Sequence, residues 1–168
     1  MNKFSTKKLT RAGVISALYV ALTYAFFPIS FGGEQARISE ALTILPLFYP
    51  EAVPALYLGC LISNIMGWGV FDIFIGSFAT LLAATATYYI GKIKISKHFK
   101  IWLGIIPPIF FNALLIPLVI YLSGGLEKTY LLQAFLIGGG ELLVTATLGV
   151  GLYYSVGALR EKKIGVML

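Results

Sequence analysis

The side chains able to do chemistry in this chain are few, and several of them sit inside apolar runs. Asn112 follows Pro107-Pro108-Ile109-Phe110-Phe111, and Glu141 lies between Ile137-Gly138-Gly139-Gly140 and Leu142-Leu143-Val144. A carboxylate near a bilayer centre costs about 2.5–3.5 kcal/mol on insertion scales, so it faces a cavity or a partner. A second group gathers earlier in the chain. Arg37 and Glu40 stand three apart, Asn64 closes one apolar segment, and Trp68 and Asp72 flank the turn into the next. Carboxylates accept hydrogen bonds and carboxamides both donate and accept, so the pattern points to recognition of a small polar molecule. The plain alternatives are an Asn112–Glu141 bond that serves helix packing and an interfacial belt of Trp and charges near span ends. No nucleophile–base pair, metal-ligand cluster or nucleotide-binding Gly-x-x-x-x-Gly-Lys-Ser/Thr loop is present in the sequence, which argues against an enzyme.

The elements that must carry these residues are membrane spans. Hydrophobic residues make up 58% of the 168 and charged residues 12%, against about 25% charged in soluble domains. Apolar runs predict spans over about 9–31, 38–49, 52–66, 72–91, 101–122 and 128–160, in one membrane domain over 1–168. Prolines 46, 50 and 54 bound or break the short second and third segments. The first run is read as a retained span rather than a signal peptide. The net charge is +6, and all Lys and Arg except Arg37 and Lys128 fall at 3–11, 92–100 and 160–163. The positive-inside rule places all three groups in the cytoplasm, which requires an even number of crossings before residue 92. The fold expected is an all-α integral membrane protein, a six-helix bundle with both termini cytoplasmic. In it Asn112 and Glu141 sit at similar depth, roughly 15–20 Å below the outer surface at 1.5 Å per residue. The basic charge thus reads as topology, not as nucleic-acid binding.

Gly13, Ala17, Ala21 and Ala25 repeat every four residues and share one helical face. Spacing alone favours packing against a neighbouring span, with docking of a separate subunit as the alternative. Gly76, Thr80, Ala83 and Thr87 form a similar stripe, explained by packing. Cys60 reads as a buried structural thiol and His98 as a solvated loop residue.

The stretch Arg37-Ile38-Ser39-Glu40-Ala41-Leu42-Thr43 resembles the QueT family. So do Gly59-Cys60-Leu61-Ile62-Ser63-Asn64, the run from Asp72 to Ala84, Pro107-Pro108-Ile109-Phe110-Phe111-Asn112-Ala113 and Gly140-Glu141, in order along nearly the whole chain. The resemblance implies the substrate-binding (S) component of an energy-coupling factor (ECF) transporter in the plasma membrane. It implies six helices, a pocket on the outer side, and no cofactor in this chain. The partners implied are one membrane coupling subunit and two ATPases that use ATP. The ligand implied is a queuosine precursor, a 7-deazaguanine base such as queuine or the aminomethyl base. It would be captured outside and released inward after loop closure and reorientation. Gly13, Ala17, Ala21 and Ala25 match the face that docks on the coupling subunit. For such a base, Glu141 or Glu40 could accept the N1–H and exocyclic N–H, and Asp72 a cationic aminomethyl group. Asn112, Asn64 or Gln35 could meet the carbonyl or ring nitrogen, and Trp68, Phe71 or Phe31 could stack on the ring. Arg37 is expected to order Glu40. An S component for another small vitamin and a stand-alone proton-coupled secondary transporter remain as alternatives.

Overall fold

The computed structural model describes residues 5–30, 37–67, 69–125 and 128–165, and all regular structure among them is helical. The elements in chain order are α1 (Thr6–Ala25), the short α2 (Phe27–Ser30), a 3₁₀ helix (Ile38–Leu47), α3 (Ala52–Gly67), a π turn (Asp72–Gly76) leading into α4 (Ser77–Lys92), and α5 (Lys97–Leu122). Then come α6 (Tyr130–Val144), a second π turn (Thr145–Gly149) and α7 (Val150–Gly165). Three continuous helices, Asp72–Lys92, Lys97–Leu122 and Tyr130–Lys162, are long and apolar enough to cross a bilayer; Ile38–Leu47 and Ala52–Gly67 are shorter apolar helices. Large apolar side chains cover the outside, among them Phe74, Phe110, Phe135 and Leu143. A soluble monomer rarely exposes so continuous an apolar surface, and the chain is a helical membrane protein.

The second predicted span differs most from expectation. Residues 38–47 form a 3₁₀ helix rather than an α-helix. Ten residues at about 2.0 Å each reach roughly 20 Å, against about 15 Å for an α-helix. The tighter winding therefore offsets the short length. Runs beyond 3–4 residues are uncommon because 3₁₀ hydrogen bonds are poorer, so this one depends on its surroundings. Residues 39–47 are all buried, and the element touches α1, α3, α4, α5, α6, the second π turn and α7. It is the axis of the bundle.

Elsewhere the differences are local. The first predicted span, 9–31, is α1 with a break at Phe26, followed by α2. The fifth helix begins at Lys97 rather than 101, because Ser96 Oγ accepts the Phe99 N–H at 3.3 Å and caps it. Pro107, Pro108 and Pro117 lie inside α5 without ending it. Pro108 has no N–H to offer the Gly104 carbonyl four residues back, and Thr87 Oγ1 of α4 supplies that donor at 3.2 Å. Of the fourth-span stripe, Gly76, Thr80, Ala83 and Thr87 are buried.

Contacts at one end of the bundle join the three basic segments. Arg11 pairs with Glu51 at 2.5 Å and lies 4.0 Å from the Tyr49 ring centroid, while Arg160 stands 5.4 Å from the same centroid. Lys97 pairs with Glu161, and His98 Nδ1 lies 2.8 Å from the Tyr154 hydroxyl.

Candidate functional site

The 3₁₀ helix carries the site because its three-residue turn stacks positions i and i+3. Arg37, Glu40 and Thr43 therefore share one face, and all three are buried. Around them lie buried polar groups from several neighbouring elements: Tyr19 and Thr23 of α1, Asn64 of α3, Asp72 of the first π turn, Thr80 of α4, Asn112 of α5 and Glu141 of α6, with Gln133 buried two turns earlier on α6. π turns add a residue within a helix and recur at functional sites; here one opens with Asp72 and the other follows Glu141, whose carbonyl accepts from Thr145 Oγ1 at 2.7 Å.

The internal bonds divide the site into two poles. At one, Arg37 Nη2 donates to Asp72 Oδ2 at 2.7 Å, with both side chains about 95% or more buried. Arg37, expected to order Glu40, forms an ion pair with Asp72 and also acts on the Glu40 charge. Asn64 Nδ2 donates to the Asp72 carbonyl at 2.9 Å and to Ser77 Oγ at 3.2 Å. The pole needs Gly76, since a Cβ there would lie 2.1 Å from Asp72 Oδ1. At the other pole the Tyr19 hydroxyl donates to Glu40 Oε1, and Thr80 Oγ1 lies 3.5 Å from the same oxygen. Thr23 Oγ1 lies 2.8 Å from Ser39 Oγ and ties α1 to the 3₁₀ helix. Asn112 faces both Glu40 and Glu141. The two polar groups expected from the sequence thus join, in their described members, into one cluster. Cys60 Sγ sits between the poles, 3.3 Å from Thr80 Oγ1 and 3.5 Å from Asn64 Nδ2.

Among the described residues, four buried acceptor oxygens in this cluster have no hydrogen-bond donor: Glu40 Oε2, Asn64 Oδ1, Asp72 Oδ1 and Glu141 Oε1. Buried polar atoms are nearly always satisfied, and leaving one unmade costs about 1–3 kcal/mol. The arrangement is a cluster of buried acceptors.

Of the residues expected to bind substrate, Arg37, Glu40, Asn64, Asp72, Asn112 and Glu141 come together. Phe71 does not: it faces outward, 41% exposed. Gln35, Trp68 and Phe31 lie outside the described residues. Sequence reasoning missed Tyr19, Thr23, Thr80 and Gln133. A faint signal existed for one of them, since Gln133, Ile137, Glu141 and Thr145 repeat every four residues and are all buried.

On α1, Ile15, Tyr19 and Thr23 are buried, whereas Gly13, Ala17, Ala21 and Ala25 are exposed. Two residues correspond to about 200° of helix, so the small stripe lies opposite the site. Among the described residues, no neighbouring span covers it as spacing alone favoured. A groove between α1 and α3, lined by Gly13, Ala17, Ala21, Leu58 and Ile62 among others, runs along this side.

Helices of membrane-spanning length around a buried polar cluster on a central 3₁₀ axis define a helical membrane protein with polar groups held inside its bundle. The QueT transporter family matches residues 9–158, and the chain belongs to that family; it is a transporter rather than an enzyme. It is also similar to the queuosine precursor transporter QueT of Lactococcus lactis subsp. cremoris (strain MG1363), with 28% identity covering 98% of this chain and 96% of the relative. No solved structure matches.

Proposed function

We propose that this chain is the substrate-binding subunit of an ATP-driven ECF importer in the plasma membrane, and that its substrate is a queuosine precursor, a 7-deazaguanine base. The observation that carries the reading is the set of buried acceptor oxygens that have no donor among the described residues, on Glu40, Asn64, Asp72 and Glu141. A 7-deazaguanine offers N1–H and exocyclic N–H donors on one edge, and a buried carboxylate pairs with such donors strongly. Glu141 takes that edge, and Asn112 and Asn64 serve the carbonyl and remaining ring positions. The name of the Lactococcus relative supports the same ligand class. Six crossings with cytoplasmic termini are supported by the contacts that gather the basic segments at one end. The site then receives the base from the outer side and releases it inward when the subunit reorients on its partners. ATP is used by two ATPase subunits that act through a membrane coupling subunit. The exposed small-residue face of α1 is its docking face, where the absence of bulky side chains allows close helix approach.

The test is calorimetric titration of the purified protein with queuine and the aminomethyl base. Binding is expected, with Glu141→Gln weakening it at least about tenfold through loss of a buried charged hydrogen bond. Unchanged binding in both Glu141→Gln and Asp72→Asn would remove the site assignment. Uptake into vesicles lacking any ATPase would replace the importer reading with a stand-alone transporter.

A further inference from the structure

The turn between α4 and α5 joins two helices long enough to cross a bilayer, Asp72–Lys92 and Lys97–Leu122. It therefore meets a headgroup layer whichever way the bundle faces. Lys92, Lys94, Lys97 and Lys100 stand around it, while the sequence from 73 to 126 contains no Asp or Glu. Lys97 is taken by Glu161 of α7. Among the described residues no acid pairs with the other three. The remaining basic segments are more committed: Arg11 pairs with Glu51, and Arg160 lies against the Phe48 and Tyr49 rings.

Two of the three lysines are held in place. The Lys92 ammonium lies 4.3 Å from the Tyr88 ring centroid and 5.2 Å from that of Tyr89. Lys100 Nζ donates to the Gly91 carbonyl at 3.0 Å. That bond answers the negative end of α4 and leaves the ammonium two further N–H donors. Beyond the lysines the surface turns apolar. Phe99, Trp102, Ile106 and Phe110 stand at i, i+3, i+7 and i+11 on one face of α5, each more than half exposed, and Tyr89 of α4 is exposed as well. Indole rings favour the headgroup level, and Trp102 is the third residue past Phe99. A soluble anion would use the lysines alone, whereas a lipid uses the lysines and the apolar face together.

We infer that the α4–α5 turn is a binding site for an anionic phospholipid, with Lys92, Lys94 and Lys100 around the headgroup phosphate and an acyl chain along the Phe99–Phe110 face of α5. The site is separate from the polar cluster. Gly91 packs on Leu47, the end of the 3₁₀ helix farthest from Arg37, and the lipid requires neither the solute nor a partner subunit.

The full chain carrying Trp68→Phe, which leaves Trp102 as its one tryptophan, is placed in phosphatidylcholine nanodiscs. Trp102 fluorescence is followed as a lipid brominated on its acyl chains replaces the host lipid. Brominated phosphatidylglycerol is expected to reach half-maximal quenching at a mole fraction at least about fivefold lower than brominated phosphatidylcholine, the enrichment that one lysine near an anionic headgroup gives. The combined change Lys92→Gln, Lys94→Gln and Lys100→Gln is expected to bring the two curves together. Lys7→Gln with Lys8→Gln, in the basic segment of α1, is expected to leave them apart. Coincident curves with all three turn lysines present overturn the site. An equal loss of preference in the Lys7 and Lys8 variant assigns the effect to net charge and overturns it too. Reversal by inorganic phosphate, at an ionic strength where chloride has no effect, places a soluble anion on the lysines and overturns the lipid as occupant. Lys94→Gln alone changes one exposed side chain and serves if the triple variant does not fold; it is expected to narrow the gap, and an unchanged gap removes Lys94 from the site.

Discussion

At the scale of single residues, the Arg37–Asp72 pair is where stability and function meet. Both side chains are almost wholly removed from water. Such a pair adds little net stability over an apolar replacement, but removing one member leaves the other charge stranded, which costs about 3–5 kcal/mol. Asp72→Ala is therefore expected to lower the melting temperature sharply, and replacing both members together, Arg37→Met with Asp72→Leu, is expected to restore most of it. Thermal denaturation in detergent, following the double-mutant cycle, measures this. Glu141 and Asn112 were legible in the sequence because polar residues within apolar runs are expensive and therefore conspicuous. Tyr19 was not, because an aromatic inside an apolar helix reads as ordinary core and its hydroxyl gives no periodic signal. The ion pair of Arg37 with Asp72 was hidden for a different reason. Sequence shows the neighbour three positions away, whereas the actual pair spans 35 positions and exists only after α3 and α4 have assembled.

At the scale of elements, the placement of Tyr19 depends on how closely α1 approaches α3. A Cβ added at Gly59 would stand 2.8 Å from Tyr19 Cβ and 3.1 Å from the Ser16 carbonyl oxygen. Gly59→Ala is expected to push α1 outward, at about 1–3 kcal/mol of overpacking strain. It should also weaken ligand binding by pulling the Tyr19 hydroxyl off Glu40. A melting curve and a titration on the same preparation test the two effects together, and a loss of stability with unaltered binding would show that Tyr19 does not set up Glu40. The positions of the helices were largely readable from apolar runs and charge clusters, and α3, the first π turn taken together with α4, and the end of α5 fall within a residue or so of expectation. The 3₁₀ winding of residues 38–47 was not, since a short apolar run carries no period that separates it from an α-helix. What stabilises it is enclosure on all sides, a property of the assembled bundle.

At the scale of the whole molecule, the bundle presents two kinds of surface. Most of it carries bulky apolar side chains suited to lipid, whereas the outward stripe of α1 is made of Gly and Ala. Ala21→Trp is expected to abolish co-purification with a coupling subunit while leaving base affinity within about threefold, because Ala21 lies across the helix from Tyr19. Pull-down and titration of the variant check both halves; retained co-purification would place the docking face elsewhere. The all-helical membrane architecture follows from composition and charge placement, and the misplaced polar residues showed two polar groups whose union only the assembled bundle reveals. The open face could not be read this way, because a small-residue stripe looks alike whether it is covered or bare.

That α1 carries the Tyr19 hydroxyl on one side and a bare stripe on the other has a thermodynamic consequence. If a partner seated on the stripe rotates or shifts α1, the hydrogen bond to Glu40 changes, and solute affinity changes with it. Linkage then runs in both directions by the same factor. A partner that lowers solute affinity tenfold when it docks must itself be held ten times less tightly by the loaded protein than by the empty one. One helix of 20 residues would thereby make the occupancy of the site legible to whatever sits outside it.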